Sequence, residues 1–213
     1  MSEKQQTPLD SEAIKNVPNM ADLANQILTS RPDYVLVNDA HITSEPQRAA
    51  LALIEHLTKD PSYKAGTVGF YVEALNSDSD VAKDKLSGGV LNYDANGKTK
   101  YGEVIQKAQK LGVNVHGIDI PGYDSESDER MLHWEKTIKD GREPIKVLLV
   151  GAGHIWNNSS NTADLVTRLG KTQWVFSTTV SYSPPGYKDA QEINTSQALE
   201  TERKYKITKY ILS

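Results

Sequence analysis

Four residues whose side chains can transfer protons or bind a metal share one kind of position in the sequence. Each ends a predicted strand or follows it closely, and the four are His41, Glu73, Asp119 and His154. Because ligands bind at the carboxyl ends of the strands in open α/β sheets, we expect these side chains at one rim. Their types favour hydrolysis, with water activated by a histidine as general base or by a divalent metal that the same groups hold.

The rest of the sequence excludes some of the catalytic mechanisms that other hydrolases use. No serine stands in a G-x-S-x-G turn and there is no cysteine, so a covalent nucleophile of either type has no support. Gly151 and Gly153 leave room for substrate beside His154 and offer backbone N–H groups to an oxyanion. Two interpretations of Asp119 stay open: its carboxylate supports an imidazole, or it is a turn residue. A lone histidine after a strand is more often structural, but two of them with two acids favour a functional site.

Alternating strands and helices predict the scaffold that positions these residues. Apolar runs predict strands at 33–38, 67–73, 113–118, 145–150, 173–180 and 205–212. Apolar residues at helical spacing predict helices at 44–59, 101–111, 127–139 and 161–169. In the first helix, Ser44 and Gln47 match a capping box. The order predicts an α/β fold with a mainly parallel, doubly wound sheet, flanking helices and a long loop at 76–99, after the second strand.

Composition excludes some classes of protein. The 213 residues have a formal net charge of −4 and no basic cluster, which argues against nucleic-acid partners. We expect a polar, flexible segment at 1–20 and a single α/β domain at 21–213. Residues 1–20 lack the apolar core of a secretory signal, and no apolar run is long enough for a transmembrane helix. We therefore expect a soluble protein, cytoplasmic or exported without a cleavable signal.

Five segments carry a family resemblance by their order. They are VLVNDAHITS at 35–44, FYVEALN at 70–76, KYGEVIQKAQKLGVNVHGIDIPG at 100–122, SDERMLHWEKTI at 127–138 and KVLLVGAGHI at 146–155. Together they resemble the superfamily that joins erythromycin-esterase-like proteins, ChaN-like haem-uptake proteins and the TraB/Tiki group. The resemblance implies a hydrolase of an ester, lactone or peptide bond, with a small molecule or a peptide as substrate.

The resemblance also implies roles for particular residues. His41 is similar to the first histidine of the family, a general base or metal ligand, and His154 to the second, a metal ligand or transition-state donor. Glu73 is similar to the strand-end acid. Arg130 resembles an arginine that faces the site, where we expect it to bind an anionic substrate group. Asp39 stands where the esterase branch has glutamate, so we expect it to orient His41 or to contact substrate.

The cofactor and the class of function stay open at this stage. If a metal is used, the expected ligands are His41, Glu73 and His154, and the candidate ions are Mn, Co, Zn and Fe. The alternative to an enzyme is a binding module. One form is a haem-binding protein with a phenolate ligand, supplied by Tyr71, Tyr93 or Tyr101. The other form is an effector- or toxin-type interaction domain whose active site has diverged from that of the enzymes.

Overall fold

Strands and helices alternate along most of the chain. The computed structural model describes residues 10–17, 20–39, 41, 43–78, 90, 93–120, 127–155, 165–170, 173–177 and 205–211. The strands are β1 Asp10–Val17, β2 Tyr34–Asp39, β3 Val68–Asn76, β4 Asn114–Asp119, β5 Ile145–Gly151, β6 Gln173–Ser177 and β7 Tyr205–Ile211. The helices are α1 Met20–Ser30, α2 Glu45–Thr58, α3 Tyr101–Lys110, α4 Asp128–Asp140, α5 Ala152–Ile155 and α6 Leu165–Leu169.

One sheet contains all of these strands, in the order β1-β7-β6-β2-β5-β3-β4. From β6 to β4 each strand runs parallel to its neighbour. At the other edge, β7 is antiparallel to β6 and β1 is antiparallel to β7. Parallel neighbours need a crossover connection, which the helices between the strands supply. The predicted α/β fold with a mainly parallel sheet is confirmed.

Helices cover both faces of the sheet. Because successive side chains of a strand point to opposite faces, an unbroken apolar run is buried on both sides. In β2, Val35 and Val37 pack in a cluster that includes residues of α1, α2 and α3. Leu36, between them, belongs to a second cluster that includes Met131 and Trp134 of α4. The doubly wound arrangement follows from this alternation.

The starts of two helices test the predicted capping signals. Ser127 precedes α4, and its side chain accepts the backbone N–H of Arg130 at 3.2 Å, as an N-cap should. Ser44 precedes α2 but makes no capping hydrogen bond with its side chain. The side chain of Gln47 donates to Asp39. The predicted capping box is therefore wrong, because the buried side chain of Gln47 bonds Asp39 at the end of β2.

Two elements near the N-terminus were not predicted. Residues 10–17, within the segment expected to be flexible, form β1, which pairs with β7 from the far end of the chain. Helix α1 follows and buries Leu23 and Ile27. A pairing between strands so distant in sequence leaves no local pattern. Among the described residues, no helix has the length and apolar character needed to cross a bilayer.

Some predicted features lie outside the described residues. These are 79–89 and 91–92 of the long loop, 161–164 at the start of the predicted short helix, and 178–180 of the predicted fifth strand. The parts of those elements that are described, α6 and β6, lie where the sequence predicts them.

Candidate active site

The predicted rim residues meet where four adjacent parallel strands end. Asp39 ends β2 and pairs in register with Gly151, which ends β5. Glu73 lies on β3, next to β5, and Asp119 ends β4 at the edge of the sheet. His154 follows β5 in the short helix α5. The strand order β2-β5-β3-β4 thus brings together side chains that are far apart in sequence.

Glu73 is the centre of the cluster, and its side chain is 4% exposed. Its Oε2 accepts the backbone N–H of Gly151 at 2.5 Å and lies 3.4 Å from Nε2 of His41. Its Oε1 lies 3.3 Å from Nε2 of His154 and 3.5 Å from Nη2 of Arg130. Burial alone would raise the pKa of Glu73, but hydrogen bonds with His154 and His41 hold that pKa well below its usual range. The carboxylate is therefore ionised.

His41 is held in an unusual backbone conformation. Its φ of +57° lies in the left-handed region, which is costly for a residue with a side chain. Its backbone N–H donates to Oδ1 of Asp39 at 3.0 Å, which stabilises that turn. Burial would lower the pKa of His41, but hydrogen bonds to Asp39 and Glu73 raise it to about 10. The imidazole is consequently a cation at neutral pH, which disfavours the expected role of general base.

Asp39 orients His41 and is 1% exposed. Its Oδ1 accepts a hydrogen bond from Nε2 of Gln47 at 2.9 Å, and its Oδ2 accepts one from the hydroxyl of Tyr101. The same hydroxyl lies 2.7 Å from Nδ1 of His41. Because its oxygens have these partners, Asp39 is placed to position His41, which is one of the two roles expected for it. The substrate-binding role stays a prediction.

Arg130 connects α4 to the rim. Its Nε donates to Oδ1 of Asp119 at 2.6 Å, and its Nη1 lies 3.4 Å from Nε2 of His154. The guanidinium lies over the ring of Trp134, 4.6 Å from the centroid. Burial would lower the pKa of Arg130, but the hydrogen bond to Asp119 raises it. Asp119 therefore bonds the arginine. The expected roles of Asp119 toward an imidazole and of Arg130 toward an anionic substrate group stay predictions.

His154 has two partners of opposite charge on one nitrogen. Its Nε2 faces Oε1 of Glu73 at 3.3 Å and the guanidinium of Arg130 at 3.4 Å. A guanidinium only donates and a carboxylate only accepts. Neutral His154 can therefore accept from Arg130, and protonated His154 can donate to Glu73. Trp134 packs against the imidazole in an edge contact, with 4.9 Å between ring centroids.

Gly151 lies at the centre of the site, closely packed by its side chains. A Cβ at this position would lie 2.7 Å from Nε2 of His41, 3.2 Å from Oε2 of Glu73 and 3.5 Å from Cδ2 of His154. Only a glycine lets these side chains approach the backbone so closely. The backbone N–H of Gly151 was expected to be available to an oxyanion. It donates to Glu73 instead. A Cβ at Gly153 would meet nothing within 4 Å.

The expected metal ligands contact one another in this structure. Within the described part of the chain, no group of three or more His, Cys, Asp or Glu side chains is arranged to hold a metal ion. The guanidinium of Arg130, 3.5 Å from Glu73, places a positive charge beside the expected ligands. These contacts are those of an ion-pair network, and the metal site stays a prediction.

Two of the three tyrosines proposed as alternative haem ligands lie together. Tyr93 packs against both Tyr101 and His41, with ring centroids 5.3 and 5.2 Å apart. Tyr101 donates to Asp39, whereas Tyr71 donates to Glu143, close to the start of β5. Burial raises the pKa of all three phenols, which disfavours a phenolate ligand. Haem binding stays a prediction.

Sequence reasoning did not assign the residues that support the site. Gln47 appeared as a helix cap, Trp134 as part of an apolar helix face, and Tyr101 as a candidate haem ligand. The one available signal was Tyr101 at the start of a helix that follows a long loop. Its contact with Asp39 joins residues 62 positions apart, which local patterns do not indicate.

Comparisons with known proteins show the fold and no family. No family model and no curated protein matches the chain. The structure of the type III effector HopBA1 matches with a TM-score of 0.50 and 16% identity, over 74% of this chain and 82% of that one. RRSP, a MARTX toxin effector domain from Vibrio vulnificus CMCP6, gives 0.49 and 14%, over 74% of this chain and 35% of that one. At such identities the likeness extends to the fold alone.

Proposed function

We propose that this chain is a hydrolase of an ester, lactone or peptide bond that activates water with histidine and needs no metal. One observation carries the proposal. Two imidazoles lie against the two oxygens of one buried carboxylate, His41 on Oε2 at 3.4 Å and His154 on Oε1 at 3.3 Å. Gly151 has no side chain, which lets both rings and Glu73 approach the same point of the backbone. A proton acceptor and a proton donor side by side are what hydrolysis needs.

The electrostatics of the two histidines divide their roles. His41 lies between Asp39 and Glu73 and is a cation at neutral pH, because those hydrogen bonds raise its pKa to about 10. It is therefore the proton donor. His154 is assigned the role of base, because its Nε2 lies 3.3 Å from Oε1 of Glu73, which can accept the N–H that a proton transfer creates.

The reaction then follows with its protons balanced. A water beside His154 gives one proton to Nε2, and the resulting hydroxide attacks the carbonyl carbon of the substrate. The bond to the leaving oxygen or nitrogen breaks, and that atom takes a proton from Nε2 of His41. Glu73 stabilises the proton that His154 has gained, because its Oε1 can accept the new N–H.

Ester hydrolysis by purified protein tests the proposal. We expect turnover of activated esters or lactones that persists after extensive chelation, and a loss of about 10²- to 10⁴-fold in kcat for His154→Ala and for His41→Ala. His56→Ala is the matched control, because His56 lies in the last turn of α2. Turnover that needs an added metal, or histidine variants as active as the control, would contradict the proposal. Elemental analysis of the purified protein gives the metal content directly.

An effector or toxin role is the second proposal, and the fold shared with HopBA1 supports it. In that role the chain binds a target protein, and the rim cluster stabilises the fold without turning over substrate. Affinity capture with the intact chain and with a His41→Ala/His154→Ala variant distinguishes the two. Equal capture of one partner, together with no hydrolysis by the intact chain, favours the binding role. The superfamily named above stays a proposal as well.

A further inference from the structure

We propose that Tyr101 is a positioning residue that fixes which nitrogen of His41 exchanges protons. Its hydroxyl donates to Oδ2 of Asp39 and presents its lone pair to Nδ1 of His41, 2.7 Å away. Nδ1 therefore keeps its hydrogen, and exchange is confined to Nε2, the nitrogen that faces Glu73. The effect of Tyr101 on turnover rests on the proposed hydrolase function. The hydrogen-bond arrangement around His41 is independent of that function.

The hydrogens available on Tyr101, Asp39 and His41 fix the direction of the two hydrogen bonds of the phenol. A phenol has one hydrogen, and a carboxylate can only accept, so the hydrogen between Tyr101 and Asp39 belongs to the phenol. The oxygen of Tyr101 is then an acceptor toward His41, which must supply the hydrogen from Nδ1. Oδ2 of Asp39, 3.3 Å from the same nitrogen, favours the same tautomer.

The start of α3 holds Tyr101 in place. Oδ1 of Asp94 accepts the backbone N–H of Tyr101 at 3.0 Å, and its Oδ2 accepts that of Gly102 at 2.8 Å. Thr99 also donates to Asp94, at 2.9 Å. Asp94 thus satisfies the first N–H groups of a helix whose own cap residue, Lys100, makes no side-chain bond. This arrangement fixes the hydroxyl of Tyr101 relative to the rim.

Confining exchange to Nε2 matters for the direction of proton transfer. Nε2 of His41 faces Oε2 of Glu73 at 3.4 Å and lies beside Gly151, at the centre of the cluster that also contains His154. Nδ1 faces the buried pair of Asp39 and Tyr101 instead. An imidazole that released its proton from Nδ1 would have no substrate atom to give it to.

Nitrogen-15 NMR of histidine-labelled wild-type protein tests the assignment directly. Above pH 10, where His41 is neutral, we expect its hydrogen on Nδ1. Tyr101 still donates there, because burial and Asp39 raise its pKa. A neutral form with its hydrogen on Nε2 would overturn the proposal. The result does not depend on hydrolysis, so an inactive protein with an Nδ1 hydrogen removes the proposed function and leaves the inference standing.

Tyr101→Phe tests the consequence for turnover. The substitution keeps the aromatic ring and removes the hydroxyl, so Nδ1 of His41 loses one hydrogen-bond partner. We expect kcat to fall about 10- to 100-fold with KM within about twofold, as for a misplaced catalytic group. Tyr63→Phe is the matched control, because its hydroxyl bonds Leu111 and Gly112 at the far end of the same helix. Equal activity of the two variants would overturn the role in turnover. If Tyr101→Phe does not fold, the NMR result decides alone.

Discussion

Two buried glutamates at opposite ends of the same strands show what makes one cluster a candidate site and the other a support. Glu73 lies near the carboxyl end of β3, whereas Glu143 lies just before β5 begins. Both side chains are 4% exposed, and each has a histidine nitrogen within 3.5 Å. Burial and a histidine partner therefore do not separate them.

The partners of Glu143 are hydrogen-bonding groups from the strands. Its Oε2 accepts from the hydroxyl of Tyr71 at 2.7 Å, and its Oε1 accepts from Asn114 at 2.8 Å and lies 2.9 Å from Nε2 of His116. The ring of Tyr71 stacks on that of His116, with centroids 4.6 Å apart. Glu143 thus ties β3 and β4 to the segment that enters β5.

The partners of Glu73 are charged and converge from different elements. His41 follows β2, Arg130 belongs to α4 and His154 belongs to α5, so the charged groups come from three different elements. The partners of Glu143 are an amide, a phenol and one histidine. The convergence of several charged groups on one carboxylate therefore distinguishes the candidate site from the support.

Replacing Glu73 by glutamine is expected to have the largest effect on activity. The amide keeps the shape but cannot balance the charge of His41 or accept the proton that His154 gains. We expect kcat for ester hydrolysis to fall about 10³-fold. Glu143→Gln is the paired control and keeps the wild-type rate within about twofold. Equal rate losses in both variants would break the distinction between the two glutamates.

Adding a methyl group at Gly151 tests whether the close packing around His41 matters for turnover. The new Cβ would lie 2.7 Å from Nε2 of His41, so the imidazole must move. We expect Gly151→Ala to lower kcat/KM about 10²-fold. Gly153→Ala has space for its methyl group and serves as the control. If the two alanine variants are equally active, the packing at Gly151 does not position the reacting groups.

The effect of Glu143→Gln is expected on stability. The amide can still accept one hydrogen bond but loses the charge-assisted bonds to Tyr71 and Asn114. We expect the free energy of unfolding to fall by about 1–3 kcal/mol, measured by urea denaturation followed by circular dichroism. An unchanged midpoint would show that the cluster does not stabilise the sheet.

Acid titration of that stability is the smallest expected effect. Burial would raise the pKa of Glu143, but hydrogen bonds from Tyr71, Asn114 and His116 lower it to about 2. Its contribution is then complete above the ordinary glutamate pKa of about 4.3 and is lost as the pH falls through about 2. The difference in unfolding free energy between wild type and Glu143→Gln should shrink over that interval. A difference that stays constant would contradict the shifted pKa.

Sequence patterns predicted the central strands and the position of the site. The apolar runs that became β2, β3 and β5 are buried on both faces, so their composition carries the signal. His41 and His154 were found because they follow such runs. β1 was missed because its polar sequence owes its structure to pairing with β7, which only the folded chain provides.

By itself, the sequence determined the fold class and the set of reactive residues at the rim, because both depend on local composition and on the direction of parallel strands. Only the tertiary structure decided their contacts. The protonation of His41 depends on Asp39 and Glu73 lying beside it, and the pairing of Arg130 with Asp119 depends on how α4 packs. Proton affinity is set by neighbours within a few ångströms, and these neighbours come from distant parts of the chain.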